Sequence, residues 1–410
     1  MLALIGLIIF ILIYIVIDVY AYQSIQRLTL NRRLLIGYIL LSVLLMATLI
    51  ISFSGDRQAG TFAGIRLYIT GIFVSYMALK IGLCLFMLGE DVYRFFKWSF
   101  QKIQSPKVKT PLASRRKFVS QLALGVSAIP FVSLLGGMIK GKYNYRVFKY
   151  TLHFDDLPDA FDGYQITQFS DLHSGSFDNA KKVQYGIDMI NEQKSNAVFF
   201  TGDLVNTFAS EFTDWKESFS KIQAKDGVFS ILGNHDYGDY HDWETQTAKQ
   251  VNFKNIVKSH DDMGWQLLMN ENISIQRGSD QLKIIGVENW GNGRFKKKGD
   301  LDVASKGIDP KDFKILLSHD PSHWNEIAKN HHSNCQLTLS GHTHGMQFGI
   351  EIPGFLKWSP AQYRYPQWAG IYEYDKRKIN VNRGFGFLAY PGRVGIMPEI
   401  TVITLKKGKG

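Results

Sequence analysis

The sequence predicts an α/β domain preceded by an N-terminal region of membrane-spanning helices. Long apolar runs dominate residues 1–140, whereas residues 145–410 alternate short β-branched runs with amphipathic helical patterns. A mean hydropathy of −0.08 conceals this division. A chain of 410 residues is long enough for both parts.

Four apolar segments of the first region have the length that a membrane-spanning helix needs, about 20 residues. They are Leu2–Val19, Leu34–Phe53, Ile65–Leu88 and Phe118–Ile139. We therefore expect four transmembrane helices within residues 1–140. The alternative interpretation is that they are buried helices of a soluble domain.

The positive charge of the chain, +11 in total, is concentrated between apolar segments. A basic loop over residues 92–117 contains many lysines and arginines and no acidic residue. Basic loops of this kind stay on the cytoplasmic side of a membrane. The pattern therefore predicts a membrane protein whose C-terminal domain lies on the outer face, and no nucleic-acid partner is expected.

A second feature agrees with this orientation. Residues 114–119, Ser-Arg-Arg-Lys-Phe-Val, precede an apolar run and resemble a twin-arginine export signal. The segment follows three helices, however, and a basic flank that happens to contain two arginines is the alternative. No small-x-small cleavage site follows it, so we expect the segment to remain as an anchor.

Strand-like runs in the second region are separated by helical patterns such as Asn179–Gln193 and Glu211–Ile222. The predicted strands are Gln165–Phe169, Ala197–Thr201, Val228–Leu232, Lys283–Val287, Lys314–Ser318, Gln336–Ser340, Gly370–Tyr374, Lys378–Asn382 and Glu399–Leu405.

Metal-binding side chains follow five of these strands where each strand ends, which is the edge at which ligands bind in open α/β sheets. The candidates are Asp171, His173, Asp203, Asn234, His319, His342 and His344, with His235 and Asp236 directly after Asn234. Carboxylate, imidazole and amide donors suit divalent Mn, Fe or Zn. With only two cysteines in the chain, a thiolate site is not indicated.

These motifs resemble the calcineurin-like metallophosphoesterase superfamily, and within it the bacterial membrane-associated, phosphodiesterase-like branch. The stretches that carry the resemblance are Gly233–Tyr237, Gly341–His344, Asn382–Gly384 and Pro398–Ile400. The resemblance implies a metallophosphoesterase β-sandwich flanked by helices, over residues 145–410, and two divalent metal ions.

The resemblance also implies a role for each site residue. One ion is held by Asp171, His173, Asp203 and His344, and the other by Asp203, Asn234, His319 and His342. His235 contacts the phosphate and protonates the leaving group, and Asp236 orients His235. Two positions depart from the family pattern: Met346 replaces a frequent glycine, and Asn206 replaces a frequent aspartate.

The expected function is therefore that of a membrane-anchored phosphoesterase, acting on phosphoester or pyrophosphate bonds in the bacterial cytoplasmic membrane. The connection Lys140–Arg146 reaches at most about 25 Å, and basic residues beside it favour an anionic lipid surface, so a lipid-linked substrate is one possibility. A catalytically silent metal-binding sensor or interaction module is the alternative, as is a nucleotide or phosphoprotein phosphatase.

Three further sets of residues have simpler interpretations. His241, His260, His323, His331 and His332 are expected to be surface or helix histidines, and Lys296–Lys298 a solvated loop that could also meet anionic lipid. The aromatic residues Trp358, Tyr363, Tyr365 and Trp368 are expected to pack the hairpin region, with an amphipathic patch facing the membrane as the alternative.

Overall fold

The computed structural model describes residues 2–54, 60–104, 113–352 and 354–409. The chain divides into two compact units, Met1–Met138 and Ile139–Gly410. We refer to them as the helical unit and, after the function that its sequence predicts, the catalytic unit.

The helical unit contains four helices, each long and apolar enough to cross a membrane. They are α1 (Leu2–Leu28), α2 (Arg32–Ser54), α3 (Gly60–Gln104) and α4 (Ala113–Ile139). Four helices were predicted, but α3 is longer than expected, so residues 92–104 of the predicted basic loop are helical. Residues 105–112 of that loop, and the side chains of Arg115 and Arg116 in the twin-arginine-like segment, lie outside the described residues.

Apolar side chains such as Val16 and Leu40 point outward from this unit, as expected for a surface that faces lipid. A polar cluster lies at its centre. The ammonium of Lys80 is 2.6 Å from Asp18 Oδ1 and donates hydrogen bonds to Tyr14 Oη and Ser42 Oγ at 2.9 and 3.1 Å. Lys80 is fully buried, and all three of its donors therefore have acceptors on α1 or α2.

The catalytic unit is built on two six-stranded sheets and one small hairpin. The first sheet has the order β1–β14–β2–β3–β4–β5, and the second β12–β13–β9–β8–β7–β6. The strands are β1 (Arg146–Phe154), β2 (Gln165–Phe169), β3 (Ala197–Phe200), β4 (Val228–Ser230), β5 (Gln266–Leu267), β6 (Glu271–Arg277), β7 (Asp280–Gly286), β8 (Phe313–Leu317), β9 (Leu337–Ser340), β10 (Ile350–Ile352), β11 (Leu356–Trp358), β12 (Gly370–Tyr374), β13 (Arg377–Val381) and β14 (Glu399–Lys407).

The two six-stranded sheets pack face to face as a sandwich, as the family resemblance implied. One apolar core contains buried side chains from both, among them Ile166 and Phe199 of the first sheet and Ile284 and Ile315 of the second. Removing this much apolar surface from water is the main stabilisation of the unit.

Short helices cover the outer faces of the sheets. They are α5 (Ala180–Glu192), α6 (Lys216–Phe219), α7 (Gln246–Asp262), α8 (Leu301–Ala304) and α9 (Pro321–Glu326). Helix α5 begins where Asn179 accepts a hydrogen bond from the amide of Lys182, as its sequence predicts. The prediction of one helix over Glu211–Ile222 is wrong: the structure has one turn over Ala209–Phe212, whose start is capped by the Glu211 carboxylate through the amides of residues 206–208, and then the separate helix α6.

The direction of the central strands determines where the functional loops meet. Strands β2, β3 and β4 are parallel neighbours in one sheet, and β8 and β9 are parallel neighbours in the other. Their carboxyl ends therefore lie at a common edge of each sheet, and the loops that follow them converge.

Candidate metal centre

The loops after β2, β3, β8 and β9 bring six of the seven predicted metal ligands into two adjoining groups, and the seventh, Asn234 after β4, lines the cavity beside them. The first group is Asp171, His173 and His344, and the second is Asp203, His319 and His342. Within each group, one ligand atom from every member lies within 4.8 Å of the others. The structure thus places side chains that are far apart in the sequence at distances that suit metal coordination.

Asp203 lies between the two groups. Its Oδ2 is 3.1 Å from Nε2 of His319 in one group and 3.5 Å from Nε2 of His173 in the other. Its Oδ1 accepts a hydrogen bond from the amide of His235 at 2.8 Å. A carboxylate in this position is suited to be shared by two ions.

Five of the predicted ligands have left-handed backbone conformations, with φ between 47° and 71°. They are Asp171, His173, Asp203, His342 and His344. Non-glycine residues rarely adopt this conformation, and such residues cluster at functional sites. The backbone is therefore bent at these positions to aim the side chains inward.

Two motif glycines are required by close packing against the ligands. A Cβ atom on Gly233 would lie 2.2 Å from Oδ1 of Asp203, and one on Gly341 would lie 2.2 Å from Oδ2 of Asp171. Any larger residue at either position would displace a ligand carboxylate. This explains why glycine precedes both Asn234 and His342.

The polar atoms of the centre are suited to hold cations. Asn234 Oδ1, His342 Nδ1 and both ring nitrogens of His173 are buried and have no hydrogen-bond partner among the described residues. Nε2 of His344 faces Asp171 Oδ1 at 3.3 Å. Buried donors and acceptors are costly when unpaired, and divalent ions bound here would pair them.

Neighbouring groups fix the ring orientation of three ligand histidines. Nδ1 of His319 is 2.7 Å from the carbonyl oxygen of Thr201, which leaves Nε2 facing the centre. Nε2 of His342 is 2.8 Å from Tyr365 Oη and 3.3 Å from Asp320 Oδ2, which leaves Nδ1 facing inward. Partners of this kind select the tautomer and the ring orientation of a metal ligand.

The third ligand, His344, is held by a buried arginine. The guanidinium of Arg393 lies 3.2 Å from His344 Nδ1 and donates to the carbonyl oxygens of Gly384 and Gly386. Asp320, Tyr365 and Arg393 were not predicted from the sequence to be part of the metal centre. Asp320 directly follows His319 and offered a signal, whereas nothing local marks Arg393.

His235 lies outside these two groups, in a further group with His173 and Asp203 in which one ligand atom from each lies within 4.8 Å of the others. Its Nδ1 is 2.7 Å from the carbonyl oxygen of Asn206, and its ring stacks on Tyr240 with 4.3 Å between centroids. The Nδ1–H therefore donates to that carbonyl, and Nε2 remains available to a substrate. Asn206, one of the two departures from the family pattern, thus positions His235 through its backbone.

The structure gives Asp236 a different role from the predicted orientation of the His235 ring. Its buried carboxylate accepts hydrogen bonds from the amides of Gly233 at 2.8 Å and of Asp203, Leu204 and Val205 at 3.0, 2.8 and 3.3 Å. It therefore joins the loop that carries Asp203 to the loop that carries Asn234 and His235.

The charges in the centre perturb one another strongly. Burial opposes ionisation of Asp203, but the nearby imidazoles of His319 and His235 outweigh it and hold the pKa of Asp203 well below its usual range. Burial lowers the pKa of His173 well below 6.5, whereas Asp203 outweighs burial at His319 and raises its pKa to about 10. A carboxylate that stays ionised, as Asp203 does here, is what cation binding requires.

A cavity of about 260 Å³ opens onto the centre. Its lining includes His235, Arg364, Tyr365 and Met346. The Arg364 guanidinium is the cationic side chain of that lining and can neutralise an anionic substrate. Met346 has a φ of 48°, a conformation that the glycine frequent in the family adopts without strain.

Several residues set aside in the sequence occupy other places. His260 and His323 lie in α7 and α9, but both are buried rather than at the surface. His331 and His332 form an exposed group with Asp302. In the basic run, Lys296 pairs with Asp239 and Lys298 with Glu288, while Trp368 is buried and Tyr363 exposed.

Comparisons with known proteins find matches to both parts of the chain. A family model described as calcineurin-like phosphoesterase matches residues 164–346. A second, described as the transmembrane domain of a probable calcineurin-like phosphoesterase, matches residues 4–142. The two matches fall on the catalytic and helical parts of the chain.

Individual relatives have related names. The uncharacterized metallophosphoesterase YkuE of Bacillus subtilis is 30% identical over 72% of this chain and 98% of its own length. A transmembrane protein with metallophosphoesterase domain from Danio rerio is 26% identical over 70% of this chain and 62% of its own. The Bos taurus protein with the same description is 24% identical over 81% of this chain and 72% of its own.

Proposed function

The chain belongs to the calcineurin-like metallophosphoesterase family, and on that basis we propose that it hydrolyses phosphoester or pyrophosphate bonds at a membrane surface with two divalent metal ions. The observation that supports this proposal is that five metal-binding side chains lie in two adjoining groups with Asp203, beside a cavity that Asn234 also lines. The membrane location follows from the four spans of the helical unit.

Each ion would be held by one set of the predicted ligands. Asp171, His173, His344 and Asp203 would hold one ion, and Asp203, Asn234, His319 and His342 the other. When bound, the ions supply Lewis acidity for attack on phosphorus and for stabilising the charge on the phosphoryl oxygens. The oxygen and nitrogen donor set suits Mn, Fe or Zn.

His235 supplies the proton chemistry. Because its Nδ1–H is bound to Asn206 O, Nε2 is the atom that contacts the phosphate and, when the ring is protonated, donates a proton to the leaving oxygen. Tyr240 supports the ring from one face. Asp236 keeps this histidine in register with Asp203 by holding both loops.

An arginine at the cavity rim can bind the negative charge of the substrate. Arg364 stacks over Tyr365 and Phe295, at 5.5 Å from each ring centroid, so its guanidinium is held beside the centre. An arginine held this way binds a phosphate or a second anionic group of the substrate. We propose a lipid-linked phosphoester as the substrate, with nucleotides and phosphoproteins as the competing classes.

We also propose that the catalytic unit lies on the outer face of a bacterial cytoplasmic membrane. Arg27, Arg32, Arg33 and the basic stretch 92–117 flank the predicted cytoplasmic loops. An alkaline phosphatase reporter should be active when fused at the C-terminus and inactive when inserted at 105–112. The reverse pattern would place the catalytic unit in the cytoplasm.

The enzymatic proposal is tested by hydrolysis of bis(4-nitrophenyl) phosphate with the full chain in detergent, across Mn, Fe, Zn, Mg and Ca. Activity should require a transition metal and disappear on chelation. Asp203→Asn should abolish activity and reduce metal content, whereas the matched change Asp214→Asn at an exposed carboxylate should do neither. Metal binding without hydrolysis of any ester would instead support the catalytically silent module.

A further inference from the structure

The small hairpin of the catalytic unit has its polarity reversed. Its register pairs Ile350 with Trp358 and Ile352 with Leu356, so these four side chains share one face. Ile350, Ile352 and Leu356 are 48%, 49% and 40% exposed, and Phe355 at the turn is 83% exposed. A hairpin of a soluble protein normally turns such a face toward the core.

The polar face of the same hairpin points into the protein. Glu351 and Lys357 lie opposite each other. The Glu351 carboxylate is 2.6 Å from the buried guanidinium of Arg383, and the Lys357 ammonium donates to the carbonyl oxygen of Ala369. The hairpin is thus held with its apolar face outward. Among the described residues, the apolar cores of the catalytic unit do not include the four side chains of that face.

The base of the hairpin lies close to Gly141, among the first residues of the catalytic unit. The last span ends at Ile139. Gly141 packs so tightly on the Arg393 carbonyl oxygen that a Cβ there would lie 2.0 Å from it. The next residue, Val394, accepts a hydrogen bond at 2.9 Å from the amide of Gly349, which begins the hairpin.

The hairpin is also tied to the metal centre. Its second strand leads to Ser359, whose hydroxyl donates to the carbonyl oxygen of Gly345 at 2.6 Å. Gly345 directly follows the ligand His344, and Met346, which is 47% exposed, lines the cavity. One segment therefore connects the apolar face, the cavity mouth and a metal ligand.

We propose that this segment, residues 346–352 and 354–363, is an interfacial anchor that inserts Ile352, Phe355 and Leu356 into the bilayer and places the mouth of the metal centre at the lipid headgroups. Tryptophan and tyrosine are enriched at this depth of a membrane, which fits Trp358 and the 79% exposed Tyr363 beside the apolar tip. Because the span brings the chain out at Gly141, the bilayer is the apolar surface always within reach of the hairpin.

The anchor specifies how substrate arrives. A phosphoester carrying an acyl or alkyl chain enters from the membrane with its phosphate at headgroup level, where the cavity opens. This second part rests on the proposed phosphoesterase function, whereas membrane insertion does not. The two parts are therefore tested separately.

Insertion is tested with a nitroxide label on the full chain in proteoliposomes of phosphatidylglycerol and phosphatidylcholine. The label is attached to Phe355→Cys in a variant in which Cys84 and Cys335 are replaced by alanine. Tyr374→Cys is the matched control, because it ends the hairpin of β12 and β13 and is 50% exposed. The label at 355 should be accessible to oxygen and shielded from a water-soluble nickel complex, and the label at 374 should show the opposite.

Two results would overturn the anchor. Equal exposure of both labels to the nickel complex would mean that the hairpin stays in water. Shielding of position 355 from both oxygen and nickel would mean that protein covers it, either a second copy or another partner.

Substrate presentation is tested with two esters that share a leaving group, methyl and hexadecyl 4-nitrophenyl phosphate, the second in mixed micelles. Phe355→Ser should lower kcat/KM for the hexadecyl ester by about tenfold, the loss expected from one buried aromatic side chain, and leave the methyl ester unchanged. Tyr374→Ser should affect neither. Equal effects on both esters would refute lipid presentation, and hydrolysis of neither by the unaltered protein would refute the phosphoesterase function while leaving the labelling result intact.

Discussion

Replacing His235 by alanine should separate proton donation from metal binding. The ring contributes no ligand to the two assigned ion positions, and its backbone amide, which bonds to Asp203 Oδ1 at 2.8 Å, is retained. Metal content should therefore be unchanged. Loss of a general acid reduces turnover by roughly 10²–10⁴-fold, which corresponds to about 3–5 kcal/mol of transition-state stabilisation.

The assay compares two esters with different leaving groups in the same protein preparation. A nitrophenolate leaves without a proton, whereas an alkoxide requires one, so the loss should be large for an alkyl ester and small for a nitrophenyl ester. His332→Ala, at an exposed histidine, is the control. An equal loss for both esters would show that His235 acts only by binding the phosphate, and loss of metal would show that the ligand assignment is wrong.

Three further changes test parts of the structure. Asp236→Ala leaves four backbone amides without their acceptor, at about 1–3 kcal/mol each, so thermal unfolding should occur at a much lower temperature and bound metal should be lost, unlike in Asp214→Ala. Burial lowers the pKa of His260 from 6.5 to about 3, so the unfolded state takes up a proton first and stability is lost as the pH falls below 6.5. Between pH 6.5 and 5 the free energy of unfolding should fall by about 2 kcal/mol. His260→Gln should remove this decrease, and His332→Gln should not. Lys80→Met removes the cation that pairs with the Asp18 carboxylate and should destabilise the helical unit by about 3–5 kcal/mol in detergent, with recovery in the double variant that also carries Asp18→Asn.

Most of the candidate metal ligands could be predicted because short local motifs mark their positions in the sequence. Each ligand follows a strand, but Asp171, His173, His342 and His344 have left-handed rather than extended backbone conformations, and His342 and His344 belong to different ligand groups. Parallel strands then bring their carboxyl ends to one edge without further information. Six of the seven predicted ligands accordingly lie in two adjoining groups, and the seventh, Asn234, lines the same cavity.

The supporting residues were not predictable in the same way. Arg393 reaches His344 across 49 positions of sequence, and Asp236 acts on backbone amides rather than on the ring beside it. Both contacts depend on how loops pack, which has no periodic signal. The same holds for Glu211, whose carboxylate accepts hydrogen bonds from the backbone amides of Asn206 and Phe208.

Strand prediction failed where burial was incomplete or the strand was short. Strand β1 has mixed exposure and was interpreted in part as a connection, and β10 and β11 have three residues each. The apolar runs of the buried strands gave clear signals, whereas the hairpin of β10 and β11 carries its apolar face outward. The sequence of this hairpin therefore resembles that of a hairpin with a buried apolar face, and only the structure shows that the face points outward.

The most direct test of the account is a metal titration of the full chain after chelation, with hydrolysis of bis(4-nitrophenyl) phosphate measured at each addition and bound metal counted by elemental analysis. We expect two ions per chain at saturation, with activity rising mainly on binding of the second, and less than two in the Asp203→Asn variant. Full activity with one ion per chain, or with none, would contradict the dinuclear centre.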